Sequence, residues 1–281
     1  MKKTLIALAV AASAAVSGTA MAALGSFDAG NVNNTVDFGG SIVPGNNNKW
    51  VWAVGQGYGD FSHKTYDMSD KGKKLTIFAS ENMPLLVGKV TEAFKGAVGL
   101  APQIQFSDSK GVITPVWAAA HGEGTLTLTV NNASQEEIGT LTLNVNAVAP
   151  AVWAKLDRTS DILGRYLENV NNAFTDATGA FGDAVSFAEA DSITTAFGAP
   201  TVQEIQDQIR AYPGLSNVGY DVSGVLSASG DDFTDDTWAY AVSYALGVLN
   251  GKTLELNLNS PVNFSAETNW KASLTMQISY T

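Results

Sequence analysis

The sequence predicts an antiparallel β-sandwich carrying a helix-and-loop insertion. Three observations predict it. Short runs alternating apolar and polar residues recur along the chain with turn residues between them. Two of these runs, Thr125-Leu-Thr-Leu-Thr-Val130 and Thr140-Leu-Thr-Leu-Asn-Val145, are near-copies flanking a polar loop, the pattern of a hairpin. Only the stretch from about 150 to 235 abandons period two for helical spacing.

The chain opens on Met1-Lys2-Lys3, an apolar run from Thr4 to Val16, and Ala20-Met21-Ala22. A positive start, a short apolar core and a small-x-small end make residues 1–22 a secretory signal peptide, too short in its apolar part to span a bilayer. Behind it, Val32 to Ile42 alternates almost without fault, with Val32, Val36, Phe38, Gly40 and Ile42 on one face. No hairpin partner adjoins it. A strand at a free N-terminus must still pair its backbone, and the partner it implies is another molecule. Residues 23–43 therefore read as an extension and 44–281 as the folded domain.

Within that domain Lys49-Trp-Val-Trp-Ala-Val54 places Trp50, Trp52 and Val54 on one face. Lys74–Ala79, Pro84–Val87, Gln103–Phe106 and Val112–Trp117 follow as short apolar runs, then the hairpin. Trp238–Val248, Thr253–Leu258 and Leu274–Tyr280 close the chain as strands. In the insertion, Ile162, Tyr166, Leu167, Val170 and Phe174 predict a helix capped by Ser160. A weaker helical segment covers Phe181 to Phe197. A firmer helix opens on the capping box Thr201-Val-Gln-Glu204, continues through Ile205 and Ile209, and stops at Pro213-Gly214.

Composition excludes several classes of function. Losing Lys2 and Lys3 takes the formal charge from −11 to −13, and no basic cluster offers nucleic acid a footing. There is no cysteine, so an exported chain must draw stability from packing or assembly, and thiol chemistry is absent. His63 and His121 lack partners at metal-ligand spacing, Gly55-Gln-Gly57-Tyr-Gly59 lacks the spacing and following helix of a dinucleotide loop, and no nucleophile elbow occurs. The acidic run Asp231-Asp-Phe-Thr-Asp235-Asp236 matches no calcium-loop spacing and reads as a solvated turn. No catalytic residue, metal or cofactor is expected, and the chain reads as a non-enzyme.

At the C-terminus Leu274, Met276, Ile278 and Tyr280 share a face up to the penultimate residue. One end of the chain looks like a strand donor and the other like the rim of an acceptor groove. The signal Met1-Lys-Lys-Thr-Leu-Ile-Ala-Leu8, Val36-Asp-Phe-Gly-Gly-Ser-Ile42, Lys49-Trp-Val-Trp-Ala-Val-Gly55, Tyr244-Ala-Leu-Gly-Val-Leu-Asn-Gly251 and Ile278-Ser-Tyr280, in this order, resemble the FaeG-like family of chaperone–usher fimbrial major subunits and adhesins of enterobacteria. The missing cysteines fit that family too. The resemblance implies an incomplete immunoglobulin-like sandwich, completed first by a periplasmic chaperone and then by the N-terminal strand of the next identical subunit, delivered through an outer-membrane usher to a surface fimbrium. It also implies a host glycoconjugate receptor bound by the insertion, where the resemblance is weakest. Trp153, Arg158, Arg165, Tyr166 and Tyr212 are the aromatic and hydrogen-bonding residues there that suit a glycan. The rival readings are a purely structural subunit without adhesion and a monomeric secreted β-sandwich enzyme or carbohydrate-binding module.

Overall fold

The computed structural model describes residues 49–59, 61–118, 122–157, 162–166, 187–216, 220–221 and 233–280. The signal segment and the expected donor strand lie outside the described residues. Sixteen strands and two helices are described: β1 (Trp50–Val54), β2 (Lys74–Phe78), β3 (Met83–Val90), β4 (Phe94–Lys95), β5 (Pro102–Asp108), β6 (Gly111–Ile113), β7 (Val116–Trp117), β8 (Glu123–Asn131), β9 (Glu137–Val148), β10 (Pro150–Lys155), β11 (Ile162–Tyr166), α1 (Phe187–Ala196), α2 (Val202–Ala211), β12 (Tyr220–Asp221), β13 (Trp238–Val248), β14 (Thr253–Leu258), β15 (Lys271–Ala272) and β16 (Thr275–Tyr280).

The predicted antiparallel architecture is what the chain adopts. A large sheet runs β12-β11-β10-β13-β9-β14-β2, with β3 and β4 on the other edge of β13, β1 outside β3, and β8 on β9. A second sheet runs β16-β5-β6. All pairs but β11–β12 are antiparallel. The near-copies pair as expected, with Leu126 opposite Leu143, Leu128 opposite Leu141, and Thr127 bonded to Thr142 at 3.2 Å on the outer face. Leucines point inward and threonines outward, so one register satisfies both solvents.

The pivot is β13. Its first half lies between β10 and β4, its second between β9 and β3. On one face Tyr240, Val242, Tyr244 and Leu246 enter the main core with Trp50, Leu86 and Ile104. On the other face Ala239, Ala241, Ser243, Ala245 and Gly247 are small and buried, and the helices lie on them. Ala245 meets Ile193 and Phe197 of the α1 segment, and a Cβ on Gly247 would fall 2.6 Å from the Phe197 ring. Helix α2 keeps its capping box, with Thr201 Oγ1 accepting from the Glu204 amide and the Glu204 carboxylate accepting from the Thr201 amide.

One expected helix is a strand. Ile162–Tyr166 pairs with β10, Tyr166 opposite Pro150 and Ile162 opposite Ala154. The i, i+4 spacing of Ile162 and Tyr166 fits a helix, but Ile162, Gly164 and Tyr166 also fit period two, and the open edge of β10 offers backbone partners along five residues. Leu167, Val170 and Phe174 lie outside the described residues. Pro150–Lys155, where the insertion was expected to begin, continues β9 along the edge of β13. Val112–Trp117 divides at Thr114-Pro115 into β6 and β7, which join different sheets.

The turn between β5 and β6 ties the two sheets together. Asp108 accepts from the Thr129 amide at 2.7 Å and the Lys110 amide at 2.8 Å. Partial burial alone would raise its pKa; these amide bonds outweigh that and hold it below the ordinary value of 3.8. A depressed carboxylate stabilises the fold above its unfolded pKa and loses that contribution as pH falls through the folded one. Asp108→Asn should cost about 1 kcal/mol at pH 7 and flatten the loss of stability below pH about 4, read by thermal unfolding across pH.

Candidate functional site

The second sheet places the C-terminal strand at an edge. β16 pairs with β5 over six residues, Ile278 opposite Ile104 and Met276 opposite Phe106, and with no other described strand. Its outward residues Thr275, Gln277 and Ser279 are exposed, while Met276, Ile278 and Tyr280 point to the core. Their burial is incomplete. In β5, which β6 also flanks from Phe106 to Asp108, Ile104 and Phe106 are 1 % and 2 % exposed; the residues directly opposite them in β16 are only half-buried. Among the described residues the core-facing row thus loses cover within one strand spacing, at the edge of the sheet. Leu274, also half-buried, extends this row at its start.

An aromatic ring marks the Tyr280 end of this edge, where Trp52 Nε1 donates to the Tyr280 hydroxyl at 2.9 Å. The Trp52 ring lies across Gly88, where a Cβ would stand 2.3 Å from it, and near Trp50, stacked at 5.3 Å, and Tyr244 at 6.0 Å. Elsewhere, just before β15, Trp270 stacks on Phe61, with ring centroids 6.4 Å apart and planes within 5°. These two rings rise from opposite walls of a cleft of about 790 Å³ whose lining includes Leu75, Leu141, Leu256 and Leu258. Leu75 and Leu141 flank Leu256 in register across β2, β14 and β9, forming a leucine floor.

Most of the glycan candidates do not come together. Trp153 is 6 % exposed in the core against Tyr240, so its ring is no surface platform. It was expected beside the insertion, but its neighbours are the strands of the main sheet. Arg165 and Tyr166 occupy β11, the latter not on the expected helix, with side chains outside the described residues, as is all of Arg158. Tyr212 is half-buried at the end of α2, where it lines a second cleft of about 560 Å³ with Lys49, Glu92, Phe94, Lys95 and Gln208. Lys49 and Glu92 pair at 2.5 Å on its rim.

Other singled-out residues have structural surroundings. Asp235 accepts from the Thr237 amide and hydroxyl at 2.9 and 2.7 Å, and Asp236 pairs with Lys95 at 3.2 Å, so both shape the turn into β13. Between the acidic residues Phe233 is fully buried, packed on Phe94 and Tyr240. Its acidic flanks concealed it. His63 lies 3.9 Å from Asp67, and among the described residues no cluster of metal-ligating side chains occurs. Phe61 and Trp270 carried no sequence signal, since both stand outside strands and only the fold brings them into contact. Trp52 stood on the alternating face of the first strand, but its bond to the penultimate residue spans nearly the whole domain.

Comparison with known proteins covers the full chain. A family model described as fimbrial, major and minor subunit, matches residues 1–281. K88 fimbrial protein AB of Escherichia coli is 33 % identical over 302 aligned residues, K88 fimbrial protein AC 33 % over 294, and the F41 fimbrial protein 31 % over 292, each covering 100 % of both chains.

Proposed function

Because the chain belongs to the K88 family of major and minor fimbrial subunits, we propose that it polymerises by donor-strand exchange, with residues 23–43 of one subunit completing the sheet of the next. The single observation that carries this reading is the fall in burial from Ile104 and Phe106 to Ile278 and Met276 across one strand spacing, at an edge that meets no other described strand. A strand laid along β16 would cover that row and pair its backbone. Val32, Val36, Phe38 and Ile42 supply alternate apolar side chains for the purpose, and Gly40 lets the backbones approach. Burying four such side chains is worth about 6–12 kcal/mol before ordering costs, enough to hold a filament without covalent links. Without disulfides, stability comes from packing and assembly. Until the neighbour arrives, a periplasmic chaperone covers the edge, and an outer-membrane usher passes the subunit to the growing fimbrium.

Adhesion to a host glycan is the second part of the reading. It is supported by the cleft at the end of α2, where the Tyr212 ring, the Lys49–Glu92 pair and Lys95 put an aromatic surface beside charged hydrogen-bonding groups. A purely structural subunit is the alternative. Assembly itself is tested at Phe38. Phe38→Asp places a charge where the donor face must enter an apolar groove, while leaving the acceptor side of the same subunit untouched. The variant should accumulate in the periplasm and yield no surface polymer by electron microscopy. Fimbriae of normal length and number would sink the proposal.

A further inference from the structure

The cleft beside Trp270 is graded from an apolar depth to a polar mouth. About 790 Å³ opens there, whereas protein cores leave few voids bigger than a water molecule. Its most buried lining is Leu75, Leu141, Leu256 and Leu258, none more than 9 % exposed. Alternation along β2, β9 and β14 turns these side chains to the buried face, and Leu75 and Leu141 flank Leu256 in register. Met68, Val262 and the stacked rings of Phe61 and Trp270 line the same cleft and are half-buried. The polar lining comes from residues 62–65 and 267–269 and from Lys271 at the start of β15, all of them exposed.

Charge at this mouth is not balanced within the fold. Lys49, Lys74, Lys95, Lys110, Lys155 and Lys252 each pair with a carboxylate. Lys64 and Lys271 have no such partner among the described residues. Glu267 is the one carboxylate of the described lining, set against these two ammonium groups and His63. In so acidic a chain a cationic mouth is an exception. A ligand that fits is therefore apolar at one end and anionic at the other. A sugar would bring hydroxyls to a leucine floor that has no side-chain donor or acceptor to pair them. An alkyl chain has no polar group to leave unpaired there, and its burial against leucine is favourable.

We infer that this cleft binds a free alkyl carboxylate of the fatty-acid type, its chain on the leucine floor and its head group at Lys64 and Lys271. The inference is independent of both the donor-strand reading and the α2 cleft. The test uses fimbriae of the full mature chain and radiolabelled alkyl carboxylates below their micelle thresholds, with binding read by cosedimentation at neutral pH. Affinity should rise about two- to fourfold per methylene from octanoate to dodecanoate, as burial of the chain requires. Dodecyldimethylamine oxide has the same chain and no net charge, and should bind about tenfold more weakly than dodecanoate. Lys64→Glu with Lys271→Glu changes only exposed side chains. It should lower dodecanoate affinity about tenfold and leave the amine oxide within twofold. No binding of dodecanoate to the parent, or equal binding of the two head groups, would overturn the inference. Undiminished dodecanoate binding by the charge-reversed fimbriae would do the same, and the head-group comparison on the parent decides the matter where that variant does not assemble. Cosedimentation with phosphatidylglycerol vesicles but not with dodecanoate would also overturn it, assigning the lysines to a membrane surface.

Discussion

Expressed without its periplasmic chaperone, a subunit lacking residues 23–43 should not accumulate in soluble form, and grafting the same segment after Thr281 through a short linker should restore a stable monomer. The expected size of the effect follows from comparing two quantities. The donor face is worth about 6–12 kcal/mol before ordering costs, and a whole domain is stable by only about 5–15 kcal/mol. A deletion of that magnitude acts as all or none. The graft is geometrically direct, because β16 ends at Tyr280, next to the grafting point, and its second edge meets no other described strand. A linker that lets the chain turn back makes the missing pairing intramolecular and removes the association cost. Soluble periplasmic yield and thermal unfolding of the two variants are the measurements. A deletion as stable as the graft would show that the segment does not complete this fold, and the chain would then be an ordinary exported β protein. The grafted monomer is also the material for testing adhesion. Binding to a glycan array that Tyr212→Ala weakens supports the α2 cleft, whereas an inert monomer leaves the purely structural reading.

Gly88→Ala should destabilise the domain by about 2 kcal/mol, more than any single surface change and through one added methyl group. The Cβ would stand 2.3 to 2.7 Å from three atoms of the Trp52 ring. That ring cannot retreat, since Trp50 is stacked on one side and Tyr244 lies on the other. Moving it breaks the bond to Tyr280 and loosens the C-terminal strand at the edge where assembly is proposed. For a domain of this size the loss amounts to roughly 4–8 °C in melting temperature. Trp52→Phe, which removes the donor and shrinks the ring, should rescue part of the loss in the double variant, as contact between the two sites demands. Additive effects in that cycle would refute the steric account.

The legible parts of the fold are those whose cause is local. Alternation across Thr125–Val130 and Thr140–Val145 specifies both the strands and their pairing, because only one register keeps every leucine on the inner face. Thr201 and Glu204 announce the start of α2 because the capping bonds close within four residues. The alternating face of Leu274–Tyr280 is legible for the same reason, and β16 keeps Met276, Ile278 and Tyr280 toward the core. Ile162–Tyr166 was not legible. Its spacing serves a helix or a strand, and the decision belongs to the edge of β10, a partner outside the segment. Trp153 was a glycan candidate by residue type alone, which suits a core ring equally well, and β10 carries it into the large sheet against Tyr240.

By itself, then, the sequence determined the class of the fold and the faces of its strands, both of which depend on residue types repeating at short range. The tertiary structure alone decided that β16 pairs with β5 and with no other described strand, that Trp153 lies in the core, and that Phe61 meets Trp270. The physical reason is that a strand carries two hydrogen-bonding edges whatever its side chains are. Which edge is filled depends on which distant segments arrive there, and side-chain alternation records the face of a strand, not its neighbours.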